Sequence, residues 1–356
     1  MAVGGGGGGD DGDKVDDFAP FPVKEELPGV DFCVPSTPSW PQAIFLGFQH
    51  YLVTLGTTVI IPSTLVPLMG GGNVEKAELI STLLFVAGIN TLLQTWFGTR
   101  LPLVIGGSYA FVIPTISIVL STNNNKNYAF LSPHQRFKQS MRAIQGALIV
   151  ASFFQMAIGL FGFWRIFARF LSPLAAVPLV TLTGLGLYAH GFPQLAKCVE
   201  IGLPALVMVV LLSQFLPPLM KSKGIILDRF AVLFSVAVVW VFAEILTVSG
   251  AYDNKPPSTQ ISCRTDRSRL LGAAPWIRVP YPFQWGRPTV DAGDTFAMMA
   301  ACFVAVVEST GTIIAASRYG GATPIPPSVL TRGIGWLGFG TLLAGAFGTG
   351  SGSTAS

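Results

Sequence analysis

Charge is what this sequence has least of. Only 11% of its 356 residues are Asp, Glu, Lys or Arg, against a hydrophobic fraction of 51% and a mean hydropathy of +0.58. A soluble domain carries about 25% charged residues. Half that density cannot cover a water-facing surface, which excludes a soluble enzyme built around one core. The four cysteines, Cys33, Cys198, Cys263 and Cys302, show no CxxC or Cys/His ligand spacing. Neither a zinc site nor a disulfide framework is expected from them. Gly-rich phosphate loops, HExxH and Ser/His/Asp arrangements are also missing, and no activated nucleophile stands out for an intramembrane hydrolase. The 40 glycines and 26 prolines argue against an ordinary helical bundle. What is present is apolar sequence in long runs, the mark of a polytopic membrane protein.

The formal net charge of +4 hides an asymmetry. Residues 1–40 hold two lysines and eight acids, a balance of −6, so residues 41–356 carry +10. The basic excess lies in loops, not in a stripe interleaved with aromatics, and nucleic acid is not an expected partner. Gly4–Gly9 followed by Asp10, Asp11, Asp13, Asp16 and Asp17 cannot bury enough apolar surface to order itself. Residues 1–40 therefore read as a disordered cytoplasmic tail; with no basic stretch ahead of a short apolar one, they are not a signal peptide.

A span needs roughly 20 mostly apolar residues. Nine candidates lie near 41–63, 79–97, 102–120, 143–163, 171–190, 199–219, 230–250, 294–316 and 333–349, with Pro173, Pro178 and Pro204 interrupting the fifth and sixth. With the N-terminus inside, the short inner loops hold Arg100, Arg165, Arg169, Lys221, Lys223, Arg229, Arg318 and Arg332, and the short outer loops hold Lys76 and Lys197. That bias follows the positive-inside rule. The long loop 251–293 then lies outside and reads as solvated, despite Arg264, Arg267 and Arg269.

An internal repeat is the most informative feature. Residues 88–99 read GINTLLQTWFGT and residues 338–349 read GFGTLLAGAFGT. The matched positions include Gly88/Gly338, Thr91/Thr341, Leu92/Leu342 and Gly98/Gly348, all at a shift of 250. The same shift carries the first span onto the eighth. Seven spans fit in one period, and an odd number turns the second copy upside down, as in inverted-repeat secondary transporters. The expected organisation is a first repeat over 41–250, the outer loop 251–293, and the start of a second repeat over 294–356. The counterpart of Gly106-Gly107-Ser108-Tyr109 would begin at 356, so the chain is expected to break off before span ten.

Ionisable groups inside spans are costly and mark function by default. His50, Glu244 and Glu308 are the ones here. His50 sits about 3 Å and Glu308 about 4.5 Å to the inner side of their span centres, a shared depth that outlines a central site. Glu308 could receive N–H groups from a flat heterocycle or bind a proton; Gln49 and His50 add donors and acceptors. Glu244, near the outer end of its span, reads as structural. The third span opens on Pro102 and Gly106-Gly107, so extended backbone is expected to break into a helix near Ser108 and line a cavity.

Gly47-Phe48-Gln49-His50-Tyr51, Gly107-Ser108-Tyr109-Ala110-Phe111 and Val307-Glu308-Ser309-Thr310-Gly311 resemble motifs of the nucleobase–ascorbate transporters, or xanthine/uracil permeases, in their plant branch. The resemblance runs from about residue 28 to the last residue. It implies an all-α polytopic fold of two inverted seven-helix repeats, a core domain moving against a gate domain, and a short strand-plus-helix at spans three and ten. It further implies that Glu308 binds the base, that Ser108, Tyr109 and Ala110 line the site, and that Gln49 and His50 support its polar network. The expected activity is proton-coupled symport of a nucleobase (xanthine, uric acid, adenine, guanine or uracil) or a related solute such as ascorbate. No cofactor is implied beyond the proton as coupling ion. The expected setting is the plasma membrane, multi-pass, with a homodimer as a candidate assembly. Two other readings stand beside it: a shortened, non-transporting partner of full-length subunits, and an inorganic-anion carrier, which the carboxylate disfavours.

Overall fold

The structure, a computed structural model, describes residues 38–124, 130–168, 188–216, 231–266, 278–319 and 325–355, with 178, 181, 182, 185 and 186 in addition. Its elements in chain order are α1 (Trp40–Leu68), α2 (Asn73–Trp96), β1 (Ile105–Gly107), a 3-10 turn (Tyr109–Phe111), α3 (Val112–Asn124), α4 (Pro133–Leu160) and the short α5 (Phe163–Ala168). There follow α6 (Tyr188–Ala196), α7 (Val199–Val210) running into a π turn (Leu211–Phe215), α8 (Ala231–Val248) and α9 (Pro257–Cys263). The last elements are α10 (Ala292–Tyr319), α11 (Pro327–Phe347) and β2 (Ser353–Ala355). The fold is all-α and polytopic: α1, α2, α4, α8 and residues 292–317 of α10 are each long and apolar enough to cross a membrane. The tail 1–37 and most of the expected span 171–190 lie outside the described residues.

Local chemistry sets the helix ends. α4 starts ten residues before the expected 143 because Ser132 and Gln135 form a reciprocal cap. The Gln135 N–H donates to Ser132 Oγ at 3.4 Å and the Ser132 N–H to Gln135 Oε1 at 3.1 Å. Apolar periodicity marks only the part of a helix that meets core or lipid, so this polar first turn escaped it. α11 begins at Pro327 and ends at Gly348, whose φ of 70° supplies the left-handed cap.

Small residues let α4 and α11 pack closest. Gly159 lies against the backbone of Gly335, and Gly338 against Met156. A Cβ at either place would collide with main chain, so these glycines serve close approach rather than flexibility. Two apolar clusters flank this pair. One gathers Ile61, Leu65, Phe111, Phe137, Ile144 and Met298; the other Leu103, Ile105, Ile158, Trp164, Ile313 and Ile334. By contrast α7 has no buried residue, and Trp240 of α8 is 60% exposed. Apolar side chains turned outward suit a lipid solvent.

Two expectations are corrected. Cys198, at the head of α7, and Cys263, the last residue of α9, are joined in a disulfide with Cα atoms 5.4 Å apart. Sixty-five residues separate them, and no spacing rule reaches that far. The loop 251–293 is also not merely solvated: Tyr252, Cys263 and Trp285 are buried. Burial, with Glu200 beside it, pushes the Tyr252 phenol above its ordinary range. Arg264 pairs with Asp266 at 2.9 Å and with Asp253, which fastens α9 to the turn before it. Glu244 accepts the Thr265 hydroxyl at 2.6 Å, in keeping with a structural role.

Candidate functional site

The third span does not run as a helix from 102. Residues 105–107 form β1, which pairs antiparallel with β2, and the helix begins only after Ser108. Such extended backbone is tolerated at membrane depth where protein satisfies it, and both strands are buried along their length. Thr91 and Thr341 provide that satisfaction in matching fashion. Thr91 Oγ1 donates to Ala87 O at 2.8 Å and accepts the Ile105 N–H at 3.0 Å. Thr341 Oγ1 donates to Leu337 O at 3.2 Å and accepts the Ser353 N–H at 3.4 Å. Ala87 and Leu337 are themselves 250 residues apart, so the repeat reappears in the helix half of the pattern. The strand half is offset by two residues, and Thr341 Oγ1 also lies 3.0 Å from Gln155 Oε1. The backbone agrees: Arg100, at φ 59°, and Gly350, at φ 74°, are counterparts by the same shift.

Strand β1 delivers Ser108 to α10. Ser108 Oγ donates to Glu308 Oε2 at 3.3 Å and accepts the Ala110 N–H at 3.1 Å, so one hydroxyl caps the 3-10 turn and steadies the carboxylate. The main chain of Ser108 is held as well. Its N–H donates to Gly352 O at 3.2 Å, and its carbonyl accepts the Ser351 hydroxyl at 3.0 Å. The neighbour of Glu308 on α10, Ser309, shares a hydrogen bond with Thr354 Oγ1 at 2.8 Å and accepts the Ala355 N–H at 3.1 Å. Two successive α10 residues thus meet two different strands, Glu308 through β1 and Ser309 through β2. Ser108 and Ser309 are fully buried, while Glu308, Tyr109 and Ala110 are half-buried and retain accessible surface.

Gln49 and His50 stand on α1. His50 is exposed and borders a cavity of about 530 Å³ between α1, α2 and residues 102–104, where Thr54, Thr91 and Thr95 are the polar walls. Ser108 and Glu308 are not among those walls. The half-buried Gln49 has a solvent-shielded Oε1 with no hydrogen-bond partner among the described residues. A buried acceptor left open is a place where a donor belongs. Cys198, Glu200 and Cys263 lie close enough together for a metal, but the two sulfurs are spent on each other.

The sequence assigns no role to Thr354 or Asn90, marks Thr91 and Thr341 only as repeat positions, and holds Ser309 only as part of a motif. Thr91 and Thr341 carried a signal, since both fall on matched repeat positions. Ser309 carried one through its motif beside Glu308, and Thr354 carried none, being an ordinary hydroxyl until the strands cross.

Residues 41–356 match the sequence model of the Permease family, Xan_ur_permease. The chain belongs to the permease family. It is 65% identical over 342 residues to nucleobase-ascorbate transporter 4 of Arabidopsis thaliana, covering 96% of this chain and 64% of that protein. It is 60% identical to nucleobase-ascorbate transporter 6 of the same plant, over 96% and 64% of the two chains. It is 53% identical to nucleobase-ascorbate transporter LPE1 of Zea mays, again over 96% and 64%. This permease-family chain therefore spans about two thirds of the length of these relatives. The family is one of membrane transporters, not enzymes.

Proposed function

We propose that the chain carries the substrate-binding core of a proton-coupled symporter for nucleobases, or for a related small solute such as ascorbate, in the plasma membrane. The relatives' names, nucleobase-ascorbate transporters, give the solute class. The observation that carries the reading is the contact of Ser108 with Glu308, at 3.3 Å, where the β1 turn meets α10. A half-buried carboxylate with one oxygen held leaves the other free to accept N–H groups from a flat base. Its second role is the proton: Glu308 is the titratable group in direct contact with the strand crossing, and proton movement down a membrane potential yields about 2.3 kcal/mol per charge per 100 mV. Tyr109 and Ala110 line the same turn. Gln49, with its open acceptor, and His50 complete a polar network from α1. Residues 41–250 act as the first repeat, and residues 294–356 supply its inverted counterpart up to β2.

The test is uptake of labelled xanthine and uracil by cells lacking their own base transporters. The protein is compared with Glu308→Gln at matched surface expression. Uptake that falls at least tenfold in the variant, and collapses with a protonophore, is the expected result. Uptake indifferent to Glu308, or none from a surface-expressed protein, overturns the proposal.

A further inference from the structure

A helix leaves its last four carbonyls without intrahelical partners, and at the end of α11 each finds one. Ala344 O accepts the Gly348 and Thr349 N–H groups, both at 3.0 Å. Gly345 O accepts Gln145 Nε2 at 3.2 Å, and Ala346 O accepts the Phe283 N–H at 2.7 Å. Phe347 O accepts Gln284 Nε2 at 2.8 Å, and the cap residue's carbonyl, Gly348 O, accepts Trp285 Nε1 at 2.9 Å. Three successive residues of the loop, Phe283, Gln284 and Trp285, thus hold three successive carbonyls.

The loop is itself anchored. Trp285 is buried edge-on to Phe137 at 5.1 Å, and its carbonyl accepts Arg142 Nε at 3.0 Å. Gly286, at φ 111°, leaves the room that the Arg142 guanidinium occupies.

The other repeat shares one of these contacts, made by a different residue. The counterpart of Gly348 is Gly98, and Gly98 O accepts Arg332 Nε at 2.8 Å. Beside it, Gln94 Nε2 donates to Gly333 O at 3.3 Å. The Gly98 carbonyl, just past α2 and ahead of β1, and the Gly348 carbonyl, at the cap of α11 and ahead of β2, are therefore each held by one side-chain N–H from a distant segment.

We infer that Trp285 and Arg332 are matched positioning residues, which fix the two strands framing Glu308 by holding Gly348 O and Gly98 O. Neither touches the carboxylate. Each sets where a strand begins: Trp285 the strand that meets Ser309, Arg332 the strand that brings Ser108. Every residue of both strands is buried, and so are residues 349–352 ahead of β2, so a shift at Gly348 O passes along a fully packed segment. Ahead of β1, Arg100 and Pro102 are exposed, and a shift at Gly98 O passes through the buried Leu101 and Leu103. The functional part of the inference rests on the proposed role of Glu308; the mechanical part does not.

Two measurements on the full chain separate them. Hydrogen–deuterium exchange of the purified protein reads the strands directly. Trp285→Phe, which keeps a ring but removes the N–H, should speed exchange in residues 349–355 about tenfold, as loss of one such bond implies, and leave residues 101–108 at the parent rate. Arg332→Gln should do the converse. Exchange unchanged in both variants, or raised equally throughout the chain, overturns the inference. Base uptake then reads the consequence: a raised KM at near-parent maximal rate for both variants, with partial recovery in Arg332→Lys, which keeps a donor. Locally loosened strands with an unaltered KM in an active parent refute the functional part. An inactive parent refutes the role of Glu308 instead, and leaves the exchange result to decide the mechanical part.

Discussion

Asn90 donates its side-chain amide to the carbonyl of Gly340, the residue 250 positions further on, at 3.1 Å. Those two positions are counterparts in the internal repeat, so the two copies meet here at equivalent points. The strands obey the same relation: Ile105 is the Cα partner of Ala355, its own counterpart by the same shift. An inverted pair of repeats has a pseudo-two-fold axis, and residues near that axis contact their counterparts. Asn90 also donates to Ser353 Oγ at 2.8 Å, which ties this axis contact to β2.

Gly340→Ala should disturb that contact. A Cβ at this position would lie 3.0 Å from Asn90 Cγ, a side chain with no slack because both its donors are used toward Gly340 and Ser353. Overpacking of this kind costs roughly 1–3 kcal/mol. A lower thermal midpoint in detergent is the expected outcome, and an unchanged midpoint would show that Asn90 moves freely.

Thr91→Val and Thr341→Val should each destabilise the protein despite equal size. Each removes the hydroxyl that accepts a strand N–H, at 3.0 Å from Ile105 and 3.4 Å from Ser353. A buried donor left alone costs about 1–3 kcal/mol. Thr341 is fully buried and its hydroxyl also lies 3.0 Å from Gln155 Oε1, so that variant strands a second buried group. It should be the more damaging of the two, an order that thermal melting can check.

Ser108→Ala should weaken solute binding while leaving the chain folded. The variant loses the 3.3 Å bond to Glu308 and the cap on Ala110. The cap is worth about 1 kcal/mol of stability. Loss of a hydrogen bond to a charged group raises the uptake KM by roughly tenfold. A KM equal to that of the parent would remove Ser108 from the site.

Cys198 and Cys263 should resist a membrane-impermeant maleimide on intact cells until a reductant is added, then label from outside. The disulfide joining them, together with the inside-positive loop bias, requires that face to be the oxidising one. Labelling without reductant would contradict the bond. Cys263→Ser should lower stability by about 2–4 kcal/mol, as for closure of a long loop.

Five of the nine expected spans were readable because lipid imposes a one-dimensional requirement, a continuous run long enough to cross. Glu308 stood out for the converse reason: a carboxylate in such a run is costly, and the structure sets it against Ser108 at 3.3 Å. The repeat was readable in Thr91/Thr341 and Gly98/Gly348, since those positions hold the crossing and leave little freedom in residue type. Trp285 was not, because a tryptophan in a polar loop looks the same whether it faces water or ends a helix 63 residues away.

By itself, then, the sequence determined a polytopic helical chain with an internal repeat at a shift of 250 residues and an acidic group set within an apolar span. Those properties follow from composition and periodicity, which act locally. Only the tertiary structure decided that Ser309 and Thr354 share a hydrogen bond, that Cys198 meets Cys263, and that Trp285 and Arg332 hold equivalent carbonyls. Each depends on which distant backbone groups lack a partner once the helices have packed, and that is a property of the assembled fold.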